Sequence, residues 1–162
     1  MEMTTTKTLV SRYQVEFRKS ETCGVLNDAP MTEYKHSKEV ANFCKKLYEQ
    51  ENAVMGYCEY SFALMLDRSN HINGYIKVSE GGLAQTIIEP KKVVKAALDA
   101  NASGVILVHN HPSNNPCPSA SDLNETDKLR KALSLFDIAL LDHVILAEDE
   151  YFSFADDGEN AY

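Results

Sequence analysis

No stretch of this 162-residue sequence approaches the run of about 18 apolar residues that carries a helix across a membrane, and residues Met1 to Lys7 lack the apolar core of a secretory signal. A cytoplasmic protein with no membrane partner is the expectation. Cysteine is sparse and unpaired in pattern: Cys23, Cys44, Cys58 and Cys117 form no C-x-x-C motif, which excludes a zinc ribbon and a thioredoxin-like site and makes reduced thiols the default. Seven glycines and five prolines are too few for a collagen-like or low-complexity chain. Positive charge is short as well. Sixteen Lys plus Arg against 24 Asp plus Glu leave a net charge of −8, the wrong sign for neutralising a phosphate backbone, so direct nucleic-acid binding is disfavoured. Lys91, Lys92 and Lys95, and Lys128, Arg130 and Lys131, make small basic clusters that read as solvated helix faces.

What is present suits one globular domain: 44% hydrophobic residues can fill a single core. Residues 9 to 18 alternate, with Tyr13, Val15 and Phe17 on one side, as a half-buried strand does. Residues 20 to 36 read as an irregular connection. Ser37 is placed to cap a helix carrying Val40, Phe43, Cys44, Leu47 and Tyr48 on one face. Residues 58 to 66 and 72 to 79 predict an antiparallel hairpin turning at Asp67 to Asn70. Pro90 opens a helix with Val93, Val94, Ala97 and Leu98 inward. Val105 to Val108 is a continuous apolar run, expected at the centre of the sheet. A helix from Ser119 presents Leu129, Ala132, Leu133 and Phe136 to the core, and 138 to 146 and 151 to 154 are two further strands. Mixed strands and helices in this order indicate an α/β or α+β sandwich around one sheet.

The chemistry concentrates after the apolar run, in His109-Asn-His-Pro-Ser-Asn-Asn-Pro-Cys-Pro-Ser-Ala-Ser-Asp122. If the strand reaches residue 111, its period of two turns His109 and His111 to the same side and Asn110 to the other. Pro112, Pro116 and Pro118 stiffen the loop that returns Asp122, in the first turn of the next helix, towards the two imidazoles. Two imidazoles and a carboxylate suit Zn²⁺ with its fourth position left for water; Cys117 is the one nearby residue able to close that position. Ser119 and Asp122 also have the spacing of a capping box, which explains them without a metal but does not explain the paired histidines.

At these residues the sequence resembles the JAMM (MPN-domain) metalloprotease family, in its bacterial RadC-like branch. The pattern H-x-H, seven residues, S-x-x-D is met by His109, His111, Ser119 and Asp122, and the RadC-like form HNHPS by residues 109 to 113. Asp142-His143 in a hydrophobic strand, Gly81, Glu89-Pro-Lys-Lys92 and a Glu59-to-Asp67 strand match too. Asn114 stands where such sequences usually carry Gly, and the helix-hairpin-helix segment that often precedes the domain is absent. The resemblance implies a cytidine-deaminase-like three-layer α/β sandwich with a mixed sheet, here with an extra N-terminal strand. Residues 1–33 form the N-terminal extension, 34–155 the RadC-like domain and 156–162 the tail. It further implies one Zn²⁺ on His109, His111 and Asp122, with Glu59 moving the proton of an activated water and Ser119 holding the oxyanion of a cleaved amide. Glu80 and Glu89 are weaker candidates for the Glu59 role, and Asp142 and His143 belong to structure or to the shell behind the ligands. His36 and His71 read as solvated.

A nucleobase deaminase requires H-x-E and P-C-x-x-C, which this sequence lacks, and an amidohydrolase barrel needs a longer chain. The expected partner is a peptide or isopeptide substrate, and a homo-oligomer is compatible with the sequence. The alternative is a RadC-like accessory protein associated with DNA repair that binds and does not cleave; a scaffold that has lost its metal is a weaker alternative, since every ligand of the motif is retained.

Overall fold

The computed structural model of the chain describes residues 18–19, 35–81 and 88–158. In chain order the elements are β1 (Arg18–Lys19), α1 (Ser37–Gln50), β2 (Tyr60–Leu66), β3 (Ile72–Glu80), α2 (Pro90–Asp99), β4 (Gly104–Asn110), α3 (Ala120–Ser134), β5 (Ala139–Leu146) and β6 (Tyr151–Ser153). The strands form one mixed sheet in the order β1-β3-β2-β4-β5-β6. Among the described pairs only β4 and β5 run parallel, joined across α3. That unit needs a crossover helix, whereas β2 and β3 turn directly. In the β2–β3 turn Asp67 Oδ1 accepts the N–H groups of Ser69 at 2.7 Å and His71 at 3.0 Å, and Asn70 takes the left-handed φ of 59°.

Both faces of the central strands are buried, so β2 and β4 carry apolar side chains without alternation. Phe62, Leu64, Ile106, Val108, Val144 and Leu146 pack with Val40, Cys44, Leu47 and Tyr48 of α1. On the other face Ala63, Met65, Val105 and Leu107 pack with Val93, Ala96 and Ala97 of α2 and with Leu129 and Leu133 of α3. The result is the expected α/β arrangement in three layers: one helix, the mixed sheet, two helices. The fully buried Phe62 ring lies 4.9 Å from that of Tyr48, fixing α1 against the sheet.

Three local expectations are corrected. Ser37 is not a cap: His36 holds the N-cap position without a side-chain bond, and Ser37 is buried with its hydroxyl against Tyr151 and the Asp156 carboxylate. Leu98 is 45% exposed, because the inward stripe of α2 runs through Val93, Ala96 and Ala97 and the next residue turns off it. Phe136 is 49% exposed, lying past the end of α3 where the chain turns through Asp137 at φ 56°. Of the N-terminal strand only Arg18–Lys19 is described, paired antiparallel with β3; the rest of 9–18, the 20–34 connection and Cys23 lie outside the described residues. No described helix is long and apolar enough to cross a membrane.

Candidate metal centre

The register of the sheet assembles the site. Ser61 of β2 pairs with His109 of β4, so period-two alternation turns Glu59, two residues before Ser61, to the same face as His109 and His111. Gly81 N–H donates to Glu59 C=O at 2.9 Å and continues the β2–β3 ladder past Glu59. Although β4 ends at Asn110, His111 still donates its backbone N–H to Leu146 C=O of β5 at 3.0 Å, which holds it in the extended line. The next residues turn sharply: Asn114 N–H reaches back to His111 C=O at 3.0 Å, and Asn114 itself adopts φ 60°. That conformation is why glycine suits position 114, and asparagine is among the few other residues that adopt it readily. Its Oδ1 also accepts the backbone N–H of Glu148 at 2.6 Å, tying the loop to the β5–β6 turn.

Asp122 enters from α3. Ser119 caps the helix in a reciprocal box: Ser119 Oγ accepts from Asp122 N–H at 3.2 Å, while Asp122 Oδ2 accepts from Ser119 N–H and from the Ser119 hydroxyl, each at 2.6 Å. The box aims the carboxylate at the histidines. Asp122 Oδ1 lies 3.3 Å from His109 Nε2, Oδ2 lies 3.4 Å from His111 Nε2, and the two Nε2 atoms are 2.9 Å apart. Glu59 Oε1 stands 3.9 Å from His109 Nε2. His109 is 1% exposed and Asp122 6%, so these polar atoms have been taken almost wholly out of water.

Burial disfavours charge on Asp122, yet the imidazoles of His109 and His111 beside it, with the Ser119 hydroxyl, outweigh that and hold the carboxyl far below the ordinary carboxylate range. Burial likewise pulls His111 down, and the Asp122 carboxylate with the Asn115 carbonyl more than reverses this, so His111 is raised. A field that favours a proton here favours any cation. His111 Nδ1 donates to Asn115 C=O at 2.8 Å, so the neutral ring carries its lone pair on Nε2. One ligand atom from each of His109, His111 and Asp122 lies within 4.8 Å of the others. Tetrahedral zinc with bonds of about 2.0–2.2 Å separates its ligand atoms by about 3.3 Å; each histidine stands at that distance from a different oxygen of Asp122, so sharing one ion requires the carboxylate to turn and the histidine pair to open by a few tenths of an ångström. The residues therefore fit a divalent ion with three protein ligands. Cys117 is exposed and stands outside the cluster.

Behind the triad, His109 Nδ1 is 2.7 Å from His143 Nε2, and His143 Nδ1 is 2.6 Å from Thr126 Oγ1. His143 is fully buried and stacked on Phe154, and burial holds its imidazole well below the ordinary histidine range. Asp142, its neighbour, faces elsewhere: Oδ2 accepts from the Ser153 hydroxyl at 2.8 Å and Oδ1 from the N–H groups of His143 and Ala155. Burial raises the Asp142 carboxyl despite these bonds. Of the weaker acids, Glu80 pairs with Lys77 at 3.1 Å, and Glu89 sits at the N-cap of α2 without a side-chain cap bond.

Three residues near the site escaped the sequence reading. Asn110, fully buried, holds the backbone around Glu59. Thr126 sits one turn after Asp122, and Glu125, whose carboxylate accepts from the Ile88 backbone, lies close enough to Asp122 and Glu59 to feel their charge. The i+3 and i+4 spacing of Glu125 and Thr126 from Asp122 was the available signal.

The RadC-like JAB domain matches residues 34–159, most of the chain and all of the site. The chain belongs to that family. This RadC-like domain is 35% identical to the UPF0758 protein GSU0386 of Geobacter sulfurreducens, over 86% of the chain and 69% of that relative. It is 42% identical to a UPF0758 protein of Geotalea uraniireducens over 62% of the chain, and 36% identical to one of Aquifex aeolicus over 76%. The RadC-like domain spans 44% of the Geotalea protein and 51% of the Aquifex one.

Proposed function

We propose that this RadC-like domain is a zinc-dependent metallopeptidase or isopeptidase of the JAMM type, hydrolysing an amide bond of a peptide substrate. The observation that carries this reading is the placement of one further carboxylate, Glu59, beside a buried His-His-Asp cluster without being the third ligand of that cluster. A Zn²⁺ ion held by His109, His111 and Asp122 supplies Lewis acidity towards the carbonyl and makes an attacking water acidic enough to react near neutral pH.

The chain's own groups do the rest. Glu59 Oε1, at 3.9 Å from His109 Nε2, takes the proton of the attacking water and returns it to the departing amine. Ser119 Oγ has a single hydrogen, given to Asp122 Oδ2. Holding the oxyanion requires that hydrogen to turn, and a carboxylate engaged with a cation competes for it less strongly. A cavity of about 420 Å³ between α1 and the loop after β4, lined among others by Lys45, Tyr48, Glu49, Met55, Asn114 and Glu148, reaches the cluster at His111 and gives a substrate room on that side.

The test is elemental analysis of protein purified without added metal, beside cleavage of a peptide and isopeptide library. About one zinc per chain, lost in His111→Ala and Asp122→Ala together with cleavage, supports the reading. Zinc content that both variants retain overturns it.

A further inference from the structure

The contacts behind His109 fix more than its orientation. Thr126 has one hydroxyl hydrogen, and its Oγ1 lies 2.5 Å from Asp122 C=O, a group that can only accept. That hydrogen is therefore spent on the helix backbone. His143 Nδ1, at 2.6 Å from the same oxygen, must be the donor of its own bond. A neutral imidazole with its hydrogen on Nδ1 has a lone pair on Nε2, and this Nε2 lies 2.7 Å from His109 Nδ1. So His109 Nδ1 carries a hydrogen, and its Nε2 presents a lone pair towards Asp122 and His111.

We propose that Thr126, acting through His143, sets the tautomer of His109 so that the nitrogen facing the ion is always the bare one. Thr126 and His143 are positioning residues; they touch neither ion nor substrate. The inference rests on reading His109, His111 and Asp122 as the metal site, but concerns which nitrogen holds a hydrogen, with no change in the number of protons. Metal-bound histidines are commonly backed by a carboxylate or a backbone carbonyl, which draws the ring hydrogen away and makes the ligand more basic. A neutral imidazole in that place draws it less, so His109 remains a weaker electron donor and the ion keeps more of its positive charge. Without the threonine, His143 could carry its hydrogen on either nitrogen. With it on Nε2, His109 Nε2–H would point into the site and block coordination.

Long-range ¹H–¹⁵N correlation of histidine-labelled protein, kept metal-free with chelator at pH 8, reads the tautomers directly. Both His109 and His143 should show the hydrogen on Nδ1. Thr126→Val should give mixed tautomers at both rings and a Zn²⁺ affinity, measured by competition with a chromophoric chelator, lower by about 10- to 100-fold. Thr126→Ser should restore both. A wild-type spectrum with the His109 hydrogen on Nε2, or a folded Thr126→Val protein with unchanged tautomers and affinity, overturns the proposal. If Thr126→Val does not fold, the wild-type spectrum decides. Wild type that shows the expected tautomers but binds no Zn²⁺ would refute the metal reading and leave the hydrogen arrangement standing.

Discussion

Tyr60 donates its backbone N–H to Asn110 Oδ1 at 2.8 Å, fastening the residue after Glu59 to the residue between the two histidines. The same amide donates from Nδ2 to Met55 C=O at 2.7 Å and to Cys58 C=O at 3.0 Å. Asn110 is fully buried, so its side chain replaces water for three backbone groups of the segment that leads into Glu59. Asn110→Ala should lower stability by about 3 kcal/mol, the sum of the lost bonds and of carbonyls left unpaired. Urea denaturation would measure it; a loss within about 0.5 kcal/mol, the range of an ordinary surface change, would mean that the segment does not depend on this residue.

Glu59→Gln keeps the shape and size of the side chain and removes its basicity. If His109, His111 and Asp122 are the ligands, as proposed, the variant should retain its zinc while cleavage falls by about 10²- to 10⁴-fold. Zinc content and rate measured on the same preparation separate the possibilities. Metal lost along with activity would make Glu59 a ligand.

Glu125 gives the fold a pH dependence of its own. Burial, then the negative charges of Asp122 and Glu59, push its carboxyl up to about 7, partly offset by the Ile88 backbone bond. Between about pH 4.5 and 7 the folded protein holds a proton that the unfolded chain has released, so stability falls as pH rises through that window. Above it the loss is complete. Glu125→Gln removes the linkage while keeping an acceptor for Ile88. At pH 8 in chelator the variant should be more stable than wild type by about 1 kcal/mol, after discounting for solvent on the open side of the residue, and equal to it near pH 4.5. Thermal unfolding at both pH values checks the sign; a variant less stable at pH 8 would contradict it.

The part of the site that was legible is the part built from short spacing. His109 and His111 share a face because a strand repeats every two residues, and Asp122 meets Ser119 because a helix N-terminus needs its free N–H groups satisfied three residues on. The capping box and the cluster of ligand atoms proved to be one arrangement, since the bonds that cap α3 also aim the carboxylate. Side chains at element ends were less legible: Ser37 turns inward to Tyr151 and Asp156, and Phe136 lies beyond the last turn of its helix.

Backbone periodicity and capping are enough to give the α/β order of elements, the doubly buried strand at 105–108 and the local His-x-His and Ser-x-x-Asp geometry; the burial of β2 on both faces is not legible from its own residues. What surrounds them depends on contacts between distant segments. Asn110 reaches Tyr60 across 50 residues, and His143 reaches Thr126 across 17. Such contacts depend on which strands lie side by side and in what register. Pairing β2 antiparallel and β5 parallel to β4 brings Glu59 to the front of the histidines and His143 to their back, and no local pattern along the chain carries that information.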